Sequence, residues 1–174
     1  MWAPYIRASQ RWVPGWEYKI GFDRFHVARH LGYAVNDVRK AEHRELKAEG
    51  DTQLSGSRFL WLTGPERRAQ WSPARQKNFA RLNDNTLKVA RAWALKVATR
   101  ELWSRAKRGV VEKVWRRWIA WANRSRLTPM RNVARMVREH LWGIANAILK
   151  GVTIATSESL NAHIQWLKKN ACGY

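Results

Sequence analysis

Three consecutive segments between residues 87 and 150 place apolar residues three and four positions apart, and this pattern constrains the fold more than any other feature of the chain. Such spacing gathers the apolar side chains on one side of a helix. The three apolar sets are Leu87, Ala90, Ala94, Val97, Ala98 and Leu102; Val111, Val114, Trp115, Trp118, Ile119 and Ala122; and Val133, Met136, Val137, Leu141, Ile144 and Ile148. The outward positions are largely Arg and Lys. The pattern therefore predicts a small helical bundle with basic faces, whose first helix ends near Gly109 and whose third runs unbroken from Thr128 to Ile148.

The first half of the chain predicts four further elements. Helices are expected over residues 2–12, over residues 25–49 and, after the capping pair Ser72-Pro73, up to Leu82. Residues 17–22 alternate loosely and carry aromatic and branched side chains, which predicts one strand ending at Asp23. A strand needs partners. Either this strand is wrong, or the chain carries only part of a sheet.

The charge of the chain is extreme and uneven. Its 33 Lys and Arg residues outnumber 13 Asp and Glu residues, for a formal net charge of +20, and most of the excess follows residue 50. Self-repulsion of this size destabilises a compact state unless a polyanion is near. Nucleic acid is the expected partner, because Lys and Arg displace the counterions condensed on phosphates.

Tryptophan and cysteine usage add two expectations. The 12 Trp residues lie mostly at apolar helical positions, so we expect most of them in the core, although Trp beside Arg can also stack on bases. The single Cys172 excludes an internal disulfide and agrees with a reducing compartment. No signal peptide or membrane-spanning run is visible. These features predict a soluble intracellular protein.

Two places in the sequence could carry chemistry. Asp23 and His26 lie three residues apart where the predicted strand meets a helix, a position that often lines an active site; alternatively Asp23 caps the helix and His26 packs beneath it. Glu158 is the last acidic residue and falls in the first turn of a predicted amphipathic helix. It is either a solvated charge favoured by the helix dipole or a metal ligand where a polyanion binds.

Four short stretches are distinctive when taken together: Met1-Trp2-Ala3-Pro4-Tyr5-Ile6, Lys19-Ile20-Gly21-Phe22-Asp23-Arg24-Phe25-His26-Val27, Ala34-Val35-Asn36-Asp37-Val38-Arg39 and Glu158-Ser159-Leu160-Asn161. These stretches resemble motifs of the DDE transposases of the bacterial ISL-three insertion-sequence family. Their order and separation fit the family across essentially the whole chain. The resemblance departs from the family at Ser159, where the family usually has Gly, and the family's first two catalytic acids have no counterpart here.

The resemblance implies a mainly α chain with a partial RNase-H-like α/β catalytic core, one recognisable strand and a basic helical insertion. Residues 1–50 would be the C-terminal remnant of the core, residues 51–155 the insertion, and residues 156–174 the closing helix. In the intact parent enzyme three acidic residues would hold two Mg²⁺ or Mn²⁺ ions for DNA cleavage and strand transfer. Glu158 would be the third acid, and Asp23 with His26 an accessory group. This predicts a truncated transposase that does not catalyse strand transfer alone.

The surviving activity predicted on this basis is binding of double-stranded DNA. The candidate phosphate contacts are Arg105, Lys107, Arg108, Arg116, Arg117, Arg124, Arg126, Arg131, Arg135, Arg138, Lys168 and Lys169. A second copy, or a separate N-terminal transposase half, is the expected protein partner. The alternative is a non-catalytic basic helical protein that binds nucleic acid. A membrane-active cationic helix is disfavoured because the apolar stripes suit one shared core.

Overall fold

A computed structural model describes residues 3–83, 86–104 and 107–151, together with the single positions 163, 166, 167 and 170. Within these residues the chain forms ten α-helices, one 3₁₀ turn and no strand. The helices are α1 (Ala3–Trp12), α2 (Trp16–Lys19), α3 (Arg24–Ala48), α4 (Arg58–Leu62), α5 (Pro65–Arg68), α6 (Pro73–Leu82), α7 (Lys88–Ala98), α8 (Arg108–Arg124), α9 (Thr128–Glu139) and α10 (Leu141–Lys150). The prediction of a mainly α protein is confirmed.

The long helix α3 is the centre of the bundle. It packs against α4, α7 and α9. Its buried side chains Val27, Leu31, Val35 and Val38 follow each other at spacings of four and three residues, so they form one apolar stripe. The observed helix differs from the predicted range of residues 25–49 by one residue at each end. The periodicity of apolar residues was therefore sufficient to predict the bounds of α3 to within one residue.

A carboxylate from α3 caps the start of α7. Glu42 is buried at 5% exposure, and its two oxygens accept hydrogen bonds from the backbone N–H groups of Lys88 (2.6 Å) and Val89 (2.7 Å). These N–H groups lie in the first turn of α7, where no helical carbonyl can pair with them. Glu42 thus joins the two helices through a contact that spans 46 residues of sequence.

Helices α8 and α9 form a hairpin whose inner side is rich in large side chains. Trp115 and Trp118 of α8 are buried, as are Met130 and Val137 of α9. The Trp118 indole N–H donates to the carbonyl of Leu95 at 2.9 Å, which satisfies the polar edge of that ring inside the core.

Most of the tryptophans that the structure describes lie in the core or pack against it, as the sequence predicts. Trp61, Trp115 and Trp118 are buried, whereas Trp12 and Trp121 are exposed. Trp71, Trp93 and Trp103 are partly buried against the core.

The strand predicted over residues 17–22 is wrong. Gly15 adopts a left-handed conformation with φ of +67° and turns the chain into the short helix α2, which covers the first half of the predicted strand. Residues 20–23 are irregular. The described part of the chain offers no neighbouring strand, so a ladder of backbone hydrogen bonds has no partner here.

Helix α10 supplies the hydrogen bonds that a sheet would have supplied to this segment. The Phe22 N–H donates to the carbonyl of Gly143 at 3.0 Å. The buried Asn146 amide donates to the carbonyls of Glu17 (2.6 Å) and Ile20 (2.8 Å). The segment is therefore fixed to a helix rather than to a sheet edge.

Two predicted helix bounds also differ from the structure. The first helix of the bundle ends at Ala98, not near Gly109, and its last turn is closed by the Thr99 hydroxyl, which donates to the carbonyl of Lys96 at 2.7 Å. The third divides at His140, whose φ of −113° and ψ of 13° are not helical. The break separates α9 from α10 and lets α10 pack against α2.

The predicted division at residue 50 stays a prediction. Helix α3, from the expected core remnant, and α7 and α9, from the expected insertion, contribute to one buried apolar cluster.

Candidate nucleic-acid interface

The outer side of α9 carries a row of three arginines. Arg131, Arg135 and Arg138 are all exposed and follow each other at spacings of four and three residues, which places them on one helix face. Asn132 accepts a hydrogen bond from the Arg135 guanidinium at 2.7 Å. This row presents three positive charges away from the core.

The outer side of α8 carries a second row, in which an aromatic ring lies between cations. Lys113, Arg117, Trp121 and Arg124 are exposed and follow each other at spacings of four, four and three residues. Trp121 retains 43% exposure, although it is a large apolar side chain. Sequence reasoning missed Lys113 and Trp121 as members of this row, yet their helical spacing relative to Arg117 was available as a signal.

A groove brings the two helices' arginines together. Arg116 of α8 and Arg138 of α9 both line it, and Trp142 at the start of α10 forms part of its wall. Its volume is about 430 Å³. Glu112 also lines the groove and lies 3.6 Å from the Arg116 guanidinium, so one carboxylate offsets part of the positive charge there.

Three other residues predicted to contact DNA differ in exposure and in hydrogen bonding. Lys107 is exposed just before α8. Arg108 is half-buried and its guanidinium donates to the side-chain oxygen of Asn146 at 2.6 Å, so this arginine stabilises the fold as well as adding charge. Arg126 is exposed in the α8–α9 turn with φ of +60°, a backbone conformation unfavourable for a residue with a Cβ. Arg105, Lys168 and Lys169 lie outside the described residues.

The Asp23–His26 pair forms as a local unit at the start of α3. One Asp23 carboxylate oxygen accepts from the His26 backbone N–H and also lies 3.1 Å from His26 Nδ1. Because a carboxylate only accepts, it favours the tautomer with the proton on Nδ1. Asp23 is mostly buried at 11% side-chain exposure and His26 is exposed at 55%. The cap predicted for Asp23 is therefore present, whereas His26 is exposed and does not pack beneath the helix.

An aromatic cluster connects this pair to the groove. Phe22, next to Asp23, packs edge-to-face on His140 (5.3 Å between ring centroids) and on Trp142 (5.2 Å). Trp142 in turn lines the groove with Arg116 and Arg138. Phe22, which precedes Asp23, therefore packs against Trp142, a side chain that forms part of the groove wall.

The described residues do not by themselves fit a divalent metal ion. No group of three His, Cys, Asp or Glu side chains with metal-binding geometry occurs among them. Asp23 already uses one oxygen for its cap and for His26. Glu158, the predicted metal ligand, lies outside the described residues, so no catalytic step through a metal follows from this geometry. None of the helices in the described part is long and apolar enough to cross a membrane.

Comparison with known proteins supplies the assignment. A family model described as a transposase, of the DDE type found in ISL-three insertion sequences, matches residues 1–174. No curated protein and no solved structure gives a match. Since the match covers the whole length of the sequence, this chain, with its two rows of exposed cations, belongs to the ISL-three family of DDE transposases.

Proposed function

We propose that this chain contacts double-stranded DNA during transposition through the α8–α9 basic surface, defined as Lys113, Arg116, Arg117, Trp121 and Arg124 of α8 with Arg131, Arg135 and Arg138 of α9. The observation that carries the proposal is the groove that Arg116 and Arg138, from different helices, both line. The family assignment supports DNA as the substrate.

The arrangement suits contacts with phosphates rather than with bases. Arginines at helical spacing present a row of donors that can follow a charged backbone, and such contacts position a protein without reading sequence. Trp121 adds an exposed ring beside Arg117 and Arg124, which can pack against a sugar or an unstacked base. Like charges at this density repel one another, so a polyanion relieves a cost that the free protein carries.

Salt dependence of duplex binding tests this proposal. The slope of log affinity against log salt should be steep, because each phosphate contact contributes about −0.9 to it. Replacing Arg131, Arg135 and Arg138 together by Gln should reduce the size of the slope by about three and weaken binding uniformly across duplex sequences. Fluorescence anisotropy with a labelled duplex over a salt series measures both quantities.

A matched control removes the same charge elsewhere. Helix α6 carries three exposed cations, Arg75, Lys77 and Arg81, that lie outside the proposed surface. Their joint replacement by Gln lowers the net charge equally and should leave the slope nearly unchanged. Equal losses from both triple variants would show that binding follows net charge alone, and would overturn the α8–α9 surface.

We further propose that Glu158 is the third acidic residue of the family's catalytic group and that Asp23 with His26 is an accessory pair. The members of the family are generally metal-dependent, which supports a metal-binding role for the carboxylate. Mn²⁺ binding with duplex DNA present, followed by electron paramagnetic resonance, should weaken at least about tenfold in Glu158→Gln, because removing a charged ligand costs more than about 1.4 kcal/mol. Identical Mn²⁺ binding by both proteins would leave Glu158 as a solvated helix-start charge and the chain as a non-catalytic DNA binder.

A further inference from the structure

A second basic site lies away from the α8–α9 surface, in a pocket between α3, α5 and α7. Its volume is about 200 Å³, and its lining includes four cationic side chains, Arg24, Arg68, Lys96 and Arg100. Among the described residues of the lining, Glu66 is the one carboxylate. Arg24, Arg68 and Lys96 come from three different helices and Arg100 follows α7, so their convergence results from the tertiary fold and not from a local run of basic residues.

The cations in this pocket are only partly neutralised. Arg100 pairs with Glu66 at 2.9 Å. Among the described residues, the buried Arg68 Nε has no hydrogen-bond acceptor, and no carboxylate or other acceptor pairs with the Lys96 ammonium. Burial, reinforced by the charges of Arg68 and Arg100, lowers the pKa of Lys96 below its ordinary value. The geometry thus holds unpaired donors and like charges together, at a cost in free energy that a bound anion would offset.

The aromatic side chains around Arg68 fix the orientation of its guanidinium. Its central carbon lies 4.7 Å from the ring centroid of Trp93 and 5.1 Å from that of Phe79. A guanidinium packed on two rings loses little further side-chain entropy when its N–H groups bind a ligand. Trp93 and Trp103 also line the pocket, and together they form the apolar part of its wall, here termed the tryptophan wall.

We propose that this pocket binds one phosphate group carried by a nucleotide. Lys96 and Arg68 supply unpaired donors, Arg100 supplies a third cation held at the rim by Glu66, and the tryptophan wall accommodates the attached sugar or base. The volume is below the roughly 300–1,000 Å³ of pockets for drug-sized ligands, so the pocket holds no more than one nucleotide unit. The phosphate can come from a free nucleotide or from a DNA strand. This inference is independent of the α8–α9 surface.

Isothermal titration of the whole chain with inorganic phosphate and with thymidine monophosphate, in chloride buffer, tests the site. Both should bind, the nucleotide more tightly because of the tryptophan wall. Lys96→Gln should weaken binding of each at least about tenfold, since hydrogen bonds with a charged partner are among the strongest in proteins. Arg91→Gln removes one charge from an exposed position of the same helix and should leave affinity unchanged. Absence of phosphate binding above chloride, or equal losses in the two variants, would overturn the proposal.

A variant that is expected to bind phosphate more tightly distinguishes a change at the pocket from a loss of folding. Glu66→Gln frees Arg100 and should tighten phosphate binding severalfold, an outcome that an unfolded protein cannot produce. Unchanged or weaker binding by this variant would count against the pocket.

The source of the phosphate is decided by comparing thymidine monophosphate with a 5′-phosphorylated thymidine octamer and with the same octamer ending in a 5′-hydroxyl. Tighter binding of the phosphorylated octamer, lost in Lys96→Gln, assigns the site to a DNA end. Tighter binding of the monophosphate assigns it to a free nucleotide. The triple α9 variant should bind inorganic phosphate normally, so failure of the DNA-binding proposal and failure of this one are separable.

Discussion

Buried polar side chains, rather than the exposed arginines, decide how the helices of this protein fit together. Glu42 caps α7 from a neighbouring helix, and Asn146 joins α10 to the carbonyls of Glu17 and Ile20 and to Arg108. Each group satisfies backbone or guanidinium partners that would otherwise lose their hydrogen bonds to water on burial. Such residues are polar in the sequence and give no periodic signal.

Glu42 provides a prediction at this scale. Glu42→Ala should lower the free energy of unfolding by about 2–4 kcal/mol, because two backbone N–H groups at the start of α7 lose their acceptors. Urea unfolding followed by circular dichroism measures the change.

A neighbouring glutamate serves as the control for this measurement. Glu45 is exposed and pairs with the Lys88 ammonium at the surface, so Glu45→Ala should cost less than about 1 kcal/mol. If the two variants lose similar amounts, the cap contributes no more than a surface ion pair does.

At the scale of elements, the contact between residues 20–22 and α10 replaces the predicted strand pairing. Gly143 is necessary for it, because a Cβ there would lie well inside van der Waals distance of the Phe22 ring. The same close approach allows the Phe22 N–H to reach the Gly143 carbonyl. Because Gly143 has no side chain, the Phe22 ring can pack against α10 while the Phe22 N–H bonds to the Gly143 carbonyl.

Gly143→Ala should destabilise the protein by about 1–3 kcal/mol, because the added methyl group forces Phe22 or its backbone to move. Adding Phe22→Ala to Gly143→Ala should remove most of the clash, so the double variant should cost less than the sum of the single ones. Thermal unfolding of the three variants measures this coupling.

Gly32 of α3 is the matched control, since a Cβ there meets nothing within 4 Å. Gly32→Ala should stabilise the protein by about 0.5–1 kcal/mol, because alanine loses less backbone entropy in a helix. If Gly32→Ala also destabilised the protein, the stability lost in Gly143→Ala would not be explained by the packing of Phe22.

At the scale of the whole molecule, burial and then the surrounding positive charge make protonation of His30 costly. Burial, with the nearby positive charges of His26 and Arg29 among the further causes, lowers the pKa of His30 from its ordinary value of 6.5. The unfolded chain therefore binds a proton that the folded chain resists. The free energy that neutral His30 contributes is present above pH 6.5 and is lost as pH falls through the lower folded pKa.

His30→Gln should consequently flatten the fall in stability on acidification. Urea unfolding at pH 7.5 and at pH 5.5 should show a smaller difference for the variant than for the parent, by up to about 1.4 kcal/mol for each unit of pKa lowering. A parent protein whose stability is equal at the two pH values, or a variant with the same loss as the parent, would contradict this role.

Several elements were predictable from sequence because their signals are local. The stripe of α3 and the Ser72-Pro73 start of α6 each depend on residues within one or two turns, and Ser72 does accept the Arg75 N–H as a cap. The 4–3 spacing of Arg131, Arg135 and Arg138 likewise fixes their common face. The family resemblance is also sequential, and the match over residues 1–174 confirms it.

The tertiary structure alone decided what depends on distant partners. Residues 17–22 have strand-like composition, yet a strand exists only where another strand pairs with it, and α10, more than 120 residues away, provides the pairing instead. The pocket brings Arg24 of α3 and Arg68 of α5 to Lys96 and Arg100 at the end of α7, and no sequence spacing relates these three segments to one another. Periodicity determines which side of a helix faces inward, because side-chain direction follows from backbone geometry. The choice of which helices meet depends on packing and on paired polar groups, and a one-dimensional pattern does not contain this information.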